Sequence, residues 1–581
     1  MLEGDALRIF LKDYVLPYWK HILVLTVFVI MQVYLQMMVL SETHSILNSG
    51  VAAQDMGYIE RAGIKMLALT LLYGASIVVV SYLSAYLSAS VTCDVRRDLF
   101  RRIMSFSQKD FSRFGGSTLM TRLTADTTRI QIFMLNALRN ALLVPVAIVA
   151  IIIATAMINA VLCALLVTAF AVTITFMVVR SRQSMPMFNE VQEELDGLNT
   201  LVREKAEGAR TIRAFGRQRY ETERFAKLNE EYREDSKNAA LKICYLTPLA
   251  LMVMNLVVLL MYYIGSVELQ ERIIGISDMI LFFQYVTYFI SCLAIVPFIV
   301  TTLPKTIVST ARLEEVLSYE PSVVNDPKGI PAVGDTDSDI VFDGVSFGYA
   351  GAAKDAVSDV TVRVGRGMTT AIIGPTGSGK STLVQMIPRF FDPTSGTVMY
   401  RGADIRDMDI RELRSRVAYA SQKTMVMADT VYANIAMGTD VTREEAEEAC
   451  RLTLFSEVLD RMPDGLDTKM SRGGMNVSGG QKQRLSLART ICKDADIYVF
   501  DDCFSALDAN TERTVRRNIM ERLRGKTVVM VAQKINTIRD ADSIVVMDKG
   551  RVVMQGTHEE LLESCGLYRE IYETQSYGEG E

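Results

Sequence analysis

Residues 141–179 of this 581-residue chain form one almost unbroken apolar stretch. A hydrocarbon core needs only ~20 residues per crossing, so the stretch is read as two crossings divided near Met157-Ile158-Asn159. The same criterion gives six spans between residues 21 and 305: 21–40, 66–90, 138–158, 160–180, 243–265 and 278–303. Core helices of a soluble protein do not run to such lengths without charge. The first run is too long and starts too late for a cleavable signal peptide. The expected fold begins as a six-span α-helical membrane domain over 21–305.

Basic residues set its orientation. Arg96, Arg97, Arg101, Arg102, Lys109, Arg113, Arg122 and Arg129 follow the second span, and the segment after the fourth is also rich in Lys and Arg. Such segments stay in the cytosol. Segments 41–65 and 266–277 are then outside, and both termini are inside. Within 1–20, Leu7, Phe10, Leu11 and Tyr14 share one helical face, which suits an interfacial helix on the inner leaflet or a helical extension of the first span. A net charge of −5 gives no electrostatic case for nucleic acid as a partner. The eight cysteines show no metal-ligand spacing and avoid the outer segments, so they are expected to be reduced.

The remainder has ordinary soluble composition and carries chemistry. Gly374-Pro375-Thr376-Gly377-Ser378-Gly379-Lys380-Ser381 fits GxxxxGK[ST] between an apolar strand, Thr370-Ala371-Ile372-Ile373, and a helix beginning near Thr382. In that context the glycines let backbone N–H groups converge on phosphate, Lys380 reaches the β- and γ-phosphates, and Ser381 holds Mg²⁺. A second apolar strand, Ile497-Tyr498-Val499-Phe500, ends in Asp501, where a carboxylate faces the nucleotide crevice as a second Mg²⁺ partner. These motifs predict an α/β P-loop NTPase domain over 338–581, with ATP and Mg²⁺ as cofactors. Residues 306–337 are read as a linker; Pro321, Pro327, Gly329, Pro331 and Gly334 concentrate near its end.

Between the two strands lies Asn476-Val477-Ser478-Gly479-Gly480-Gln481-Lys482-Gln483-Arg484. This segment resembles the signature of ATP-binding cassette (ABC) proteins, and the likeness runs over roughly 338–575 in the family's order. It implies that Tyr349 stacks on adenine, that Gln422 is the Q-loop glutamine near Mg²⁺ and the attacking water, that Ser505-Ala506-Leu507-Asp508 is the D-loop, and that Thr382 closes the phosphate loop. It also implies that Ser478, Gly479, Gly480 and Gln481 bind the γ-phosphate held by a second cassette. Segments 111–126 and 204–215 resemble the coupling turns of exporters in this family, in which spans and cassette share one chain. One membrane unit and one cassette make a half-transporter.

Two positions depart from the family's pattern. The residue after the Mg²⁺ aspartate is Asp502 where the family has glutamate, and the switch-loop histidine is replaced by Gln533. Aspartate is one methylene shorter, and glutamine cannot be protonated near neutral pH. The chain therefore resembles the degenerate-site subunit of bacterial heterodimeric multidrug exporters. That likeness implies a bacterial plasma membrane, a non-identical partner half-transporter, and weak hydrolysis at its own site. Polar and aromatic span residues such as Gln32, Tyr34, Gln36, Asn255, Gln284, Tyr285 and Tyr288, without an acid deep in a span, suit a hydrophobic or amphipathic small-molecule cargo. A homodimeric lipid or peptide exporter and a gating subunit that binds ATP without pumping remain alternatives.

Overall fold

The computed structural model describes residues 3–577 apart from 272–273, 294–295, 326–336, 350–351 and 353. Two compact units emerge, one of Met1–Met104 with Ser117–Tyr319 and one of Ser105–Gly116 with Glu320–Glu581.

The first unit is helical. Its long elements are Trp19–Ser45, Met56–Met104, Leu143–Ile158, Ala160–Glu207, Gln218–Cys244, Leu246–Gln270, Ile276–Leu293 and Val296–Leu317. Among the described residues, helical stretches at Leu7–Val51, Met56–Met104, Gly116–Ile158 and Leu251–Gln270 qualify as membrane spans by length and composition, and Ala160–Phe176 and Ile276–Cys292 are further apolar stretches. Within Met56–Met104, Ser76, Ser84, Ser88 and Thr92 are buried while Leu71, Leu72, Val78 and Tyr82 are exposed. Val80, Leu87, Val91, Val95 and Leu99 are buried beside those small polar residues, so the helix carries apolar side chains on both its packed and its exposed faces. Polar side chains pair across helix ends: His44 with Asp278 at 2.9 Å, and Asn159 Nδ2 donating to Glu268 Oε2 at 2.7 Å.

Some expected boundaries move. The span placed at 243–265 is broken at Tyr245, after which the helix Leu246–Gln270 begins. The expected span 278–303 crosses residues 294–295, and the outer segment 266–277 includes 272–273, both outside the described residues. The linker expected at 306–337 is helical to Leu317, with Leu313 and Val316 buried, because an apolar stripe continues past the last span. Its residues 326–336, including Pro327, Gly329, Pro331 and Gly334, lie outside the described residues. The turn expected at 111–126 begins inside the helix Gln108–Phe114, capped by Ser107 and Asp110, and continues into the short helix Gly116–Thr121. The turn expected at 204–215 contains the short helix Ala209–Ala214.

The second unit carries two sheets. Strands β1 (Ser338–Phe347), β2 (Val357–Gly365), β4 (Ser395–Tyr400) and β5 (Ala403–Asp404) form an antiparallel sheet in the order β2-β1-β4-β5. Strands β3 (Thr369–Ile373), β6 (Val417–Ala420), β7 (Ile497–Asp501), β8 (Thr527–Val531), β9 (Ser543–Asp548) and β10 (Arg551–Gly556) form the other, in the order β10-β9-β3-β8-β7-β6. This second sheet is parallel except for β10. Alternation along its strands divides the core. Ile372, Val499, Val529 and Val545 pack toward the antiparallel sheet. Ala371, Phe500, Met530 and Val546 pack with Leu485, Leu487 and Ala488 of the helix Gly479–Cys492. A parallel sheet covered on both faces leaves the carboxyl ends of its strands as the natural crevice.

Candidate nucleotide-binding site

Four loops meet at those carboxyl ends. Gly374–Gly379 follows β3, Gln422 follows β6, Asp501 and Asp502 lie at the end of β7, and Gln533 follows β8. A pocket of about 360 Å³ is lined by residues of all four and by Tyr349, Thr376, Gly377, Gly379, Lys380, Ser381 and Thr382. The signature residues Ser478, Gly479, Gly480 and Gln481 and the D-loop residue Asp508 do not line it. Gly374, Pro375 and Ser378 shape the loop without lining the pocket.

The loop packs tightly against backbone from other segments of the unit. A Cβ at Gly374 would meet Met547 O at 2.1 Å, and one at Gly379, where φ is 97°, would meet Ala356 O at 2.5 Å. Side chains are excluded there, so the chain can curl tightly around an anion. Lys380 Nζ donates to Gly374 O and Pro375 O, each at 2.8 Å. Burial lowers the lysine's pKa, and the nearby Asp502 and Asp501 oppose that shift.

Beside the loop, Ser381 Oγ donates to Asp501 Oδ1 at 2.7 Å, and Tyr419 OH donates to Asp501 Oδ2 at 2.8 Å. Burial raises the Tyr419 phenol, with Asp501 adding to the shift, so Tyr419 stays a donor. Tyr419 is a site residue that sequence reading passed over. Its signal was weak: a tyrosine in β6 three residues before Gln422. A hydroxyl and a carboxylate at contact distance are hard oxygen donors of the kind Mg²⁺ takes. The glycine cradle and this donor set fit a nucleotide with its metal.

Asp502 is held by both its backbone and its side chain. Its φ is 48°, a left-handed conformation that aspartate tolerates better than most side chains. Its N–H donates to Val531 O at 3.1 Å, fixing the turn. Oδ2 accepts from Gln422 Nε2 at 2.9 Å and from Gln533 Nε2 at 2.8 Å. Burial raises the carboxyl's pKa, and the two amide donors pull it back. Tyr349 lies at the pocket's edge, with its ring against Phe347 and Phe391 and its hydroxyl 3.1 Å from Thr382 Oγ1.

The remaining motif residues are ordered elsewhere in this unit. Ser478 caps the helix Gly479–Cys492 in a capping box with Gln481. Asp508 caps the helix Ala509–Arg522 by accepting from Thr511 N–H at 3.0 Å. Gln483 Oε1 accepts from Ala506 N–H at 3.0 Å and so ties the signature helix to the D-loop. His558 pairs with Tyr568 OH at 2.7 Å and is a structural anchor.

The family model "ABC transporter transmembrane region" matches residues 22–293, and the model "ABC transporter" matches residues 357–505. The chain is 33% identical to the ABC transporter ATP-binding protein YfiB of Bacillus subtilis, over 92% of this chain and 93% of that protein. The chain belongs to the ABC transporter family. A further ABC transporter ATP-binding protein, from Mycobacterium tuberculosis, is 31% identical over 97% of this chain and 98% of its own length. An ATP-dependent lipid A-core flippase of Vibrio vulnificus is 26% identical over 92% of this chain and 91% of its own length. In fold, this ABC transporter resembles a bacterial Atm1-family exporter solved with ATP bound. The TM-score is 0.82 at 22% identity, covering 97% of this chain and 98% of that one. A helical membrane domain followed by a cassette on one chain is the exporter fold, and the machine is ATP-driven.

Proposed function

We propose that this chain is one half of a heterodimeric ABC exporter of the bacterial plasma membrane, in which its own nucleotide site holds ATP but cleaves it weakly. The observation that carries the reading is the state of Asp502. A carboxylate one methylene short of glutamate has one oxygen already taken by two uncharged amides, Gln422 and Gln533. A general base must come within about 3 Å of the water it activates. Shortening and capture both work against that reach, and Gln533 supplies no titratable group to help.

The binding half of the site is complete. Tyr349 meets the adenine; the loop Gly374, Pro375, Thr376, Gly377, Ser378, Gly379 with Lys380 and Thr382 meets the phosphates. Ser381, Asp501 and Gln422 would hold Mg²⁺, which when bound would neutralise charge on the phosphates. Ser478, Gly479, Gly480, Gln481 and Asp508 complete the partner's site. Two such chains together would have two weak sites, so the partner is a different half-transporter. ATP binding then drives the inward-to-outward change through its differential affinity for the two states. Both termini and the cassette are cytosolic, and six spans form the membrane domain.

The cargo is hydrophobic or amphipathic. The flippase named among the relatives favours a lipid as a second reading beside a drug. The test of the pairing is affinity purification of the tagged full-length chain from its native membrane, with mass spectrometry of what accompanies it. A second half-transporter with Glu and His at the positions matching Asp502 and Gln533 supports the proposal. Recovery with copies of itself alone overturns it.

A further inference from the structure

The switch loop that carries Gln533 is held by a side chain forty-two residues further on. Gln575 lies in the C-terminal helix Gly566–Tyr577. Its Nε2 donates to the Gln533 carbonyl at 2.7 Å, and its Oε1 accepts from the Ile535 N–H at 2.8 Å. One planar amide brackets the loop much as an adjacent strand would.

The helix that presents Gln575 is itself fixed. Tyr568 is fully buried, and its hydroxyl meets His558 Nδ1 at 2.7 Å. Arg569 donates from Nε to Leu562 O at 2.8 Å and from Nη2 to Glu563 O at 2.6 Å. Tyr568, Ile571 and Gln575 follow the i, i+3, i+7 spacing of one helical face, so the anchor and the clamp share a side. The far end of the switch loop is pinned from the helix Ala509–Arg522. Thr537 Oγ1 donates to Glu512 Oε1 at 2.6 Å, and Arg516 Nη1 donates to Asn536 O at 3.0 Å. Those contacts hold residues 536 and 537. Gln575 is the side chain bonded to the Gln533 peptide itself.

We propose that Gln575 is a positioning residue: by fixing the Gln533 peptide it sets the direction from which the switch-loop side chain approaches Asp502 Oδ2 and the γ-phosphate of bound ATP. The C-terminal helix thereby becomes part of the nucleotide switch. The proposal rests on reading Gln533 as the switch-loop residue of a nucleotide site, and it holds whether or not that site is weak. Nothing in the sequence around Gln575 marks it, because its partners come from a distant loop.

The test uses the assembled full-length transporter in lipid nanodiscs, with the Gln575→Leu and Gln575→Glu variants. Gln575→Leu removes both hydrogen bonds. Amide exchange at Ile535 in the nucleotide-free protein should accelerate about tenfold, the equivalent of one or two hydrogen bonds. Gln575→Glu keeps the acceptor and should leave Ile535 protected while freeing the Gln533 carbonyl. Hydrolysis at this chain's own nucleotide is read by vanadate trapping of a photoreactive ATP analogue, in an Asp502→Glu/Gln533→His parent. Both Gln575 variants should lower its rate about tenfold, the scale of a small misplacement at a reacting centre. The ATP concentration for half-maximal trapping should move by less than about twofold, since the binding residues are untouched.

Unchanged exchange at Ile535 in Gln575→Leu overturns the proposal. So does a rate loss matched by an equal weakening of ATP binding, which would mark a purely structural role. Should Gln575→Leu lose protection throughout the cassette, the near-isosteric Gln575→Glu decides, and an unchanged rate in it counts against the proposal. Failure of the weak-site reading shows elsewhere, as no gain of trapping in the parent before Gln575 is touched.

Discussion

Gln533 Nε2 donates to Asp502 Oδ2 at 2.8 Å, and Gln422 Nε2 donates to the same oxygen at 2.9 Å. The three side chains come from the ends of three neighbouring parallel strands, β8, β7 and β6. A short carboxylate in a left-handed turn is thus tied to both of its flanking loops. The arrangement is well satisfied in hydrogen bonds, and on the proposed function it is poorly placed for taking a proton from water.

The raised pKa of Asp502 has a consequence for stability. A carboxyl whose folded pKa exceeds its unfolded value contributes stability that is present at low pH and lost as pH rises through the folded pKa. At neutral pH the buried charge therefore costs stability. Asp502→Asn keeps an acceptor oxygen for the two glutamines and removes the charge. The nucleotide-free cassette of the full-length variant should melt a few degrees higher than wild type at pH 8. The difference should shrink as pH falls through the carboxyl's raised pKa, which differential scanning calorimetry at stepped pH would record.

Tyr349 separates ring stacking from hydroxyl chemistry. Its ring already sits edge-on to Phe347 and Phe391, and its hydroxyl meets Thr382. Loss of a base-stacking aromatic costs about 1–3 kcal/mol, so Tyr349→Ala should weaken ATP binding at least about fivefold. Tyr349→Phe should stay within about twofold, because one partly exposed hydrogen bond has a small net value. Titration with a fluorescent ATP analogue distinguishes the two.

The signature residues test the second site. A Cβ at Gly479 meets nothing within 4 Å, whereas one at Gly480 would meet Ala506 O at 3.2 Å. Gly479→Asp therefore adds a negative charge with little crowding inside its own chain. It should cut total ATP turnover of the assembled transporter about 10²-fold, the scale of losing a preorganised anion-stabilising group. ATP photolabelling of this chain should be unaffected. Surviving turnover would remove the cross-dimer role of the signature.

Much of the site was legible in the sequence because it is local. The strand–loop–helix of Gly374–Ser381 and the strand ending in Asp501 carry their meaning within a dozen residues each. Gln422 and Gln533 were assigned by family resemblance, and their convergence on Asp502 from the ends of neighbouring parallel strands came from the structure. Tyr419 on Asp501 and Gln575 on Gln533 were not legible, since each contact depends on tertiary placement that no spacing encodes. The left-handed turn at Asp502 was equally hidden: aspartate permits that conformation without requiring it. In the membrane unit, hydropathy located the apolar helices but not the break at Tyr245 or the helical continuation to Leu317, where packing overrode composition.

Site-resolved hydrolysis tests the central claim most directly. Vanadate trapping of a photoreactive ATP analogue on this chain, within the assembled full-length transporter, compares wild type with Asp502→Glu/Gln533→His. Restoring a base of full reach and a titratable switch residue should raise trapping on this chain at least about tenfold. Wild-type trapping already equal to that of the double variant would contradict the account, because the site would then be fully hydrolytic as it stands.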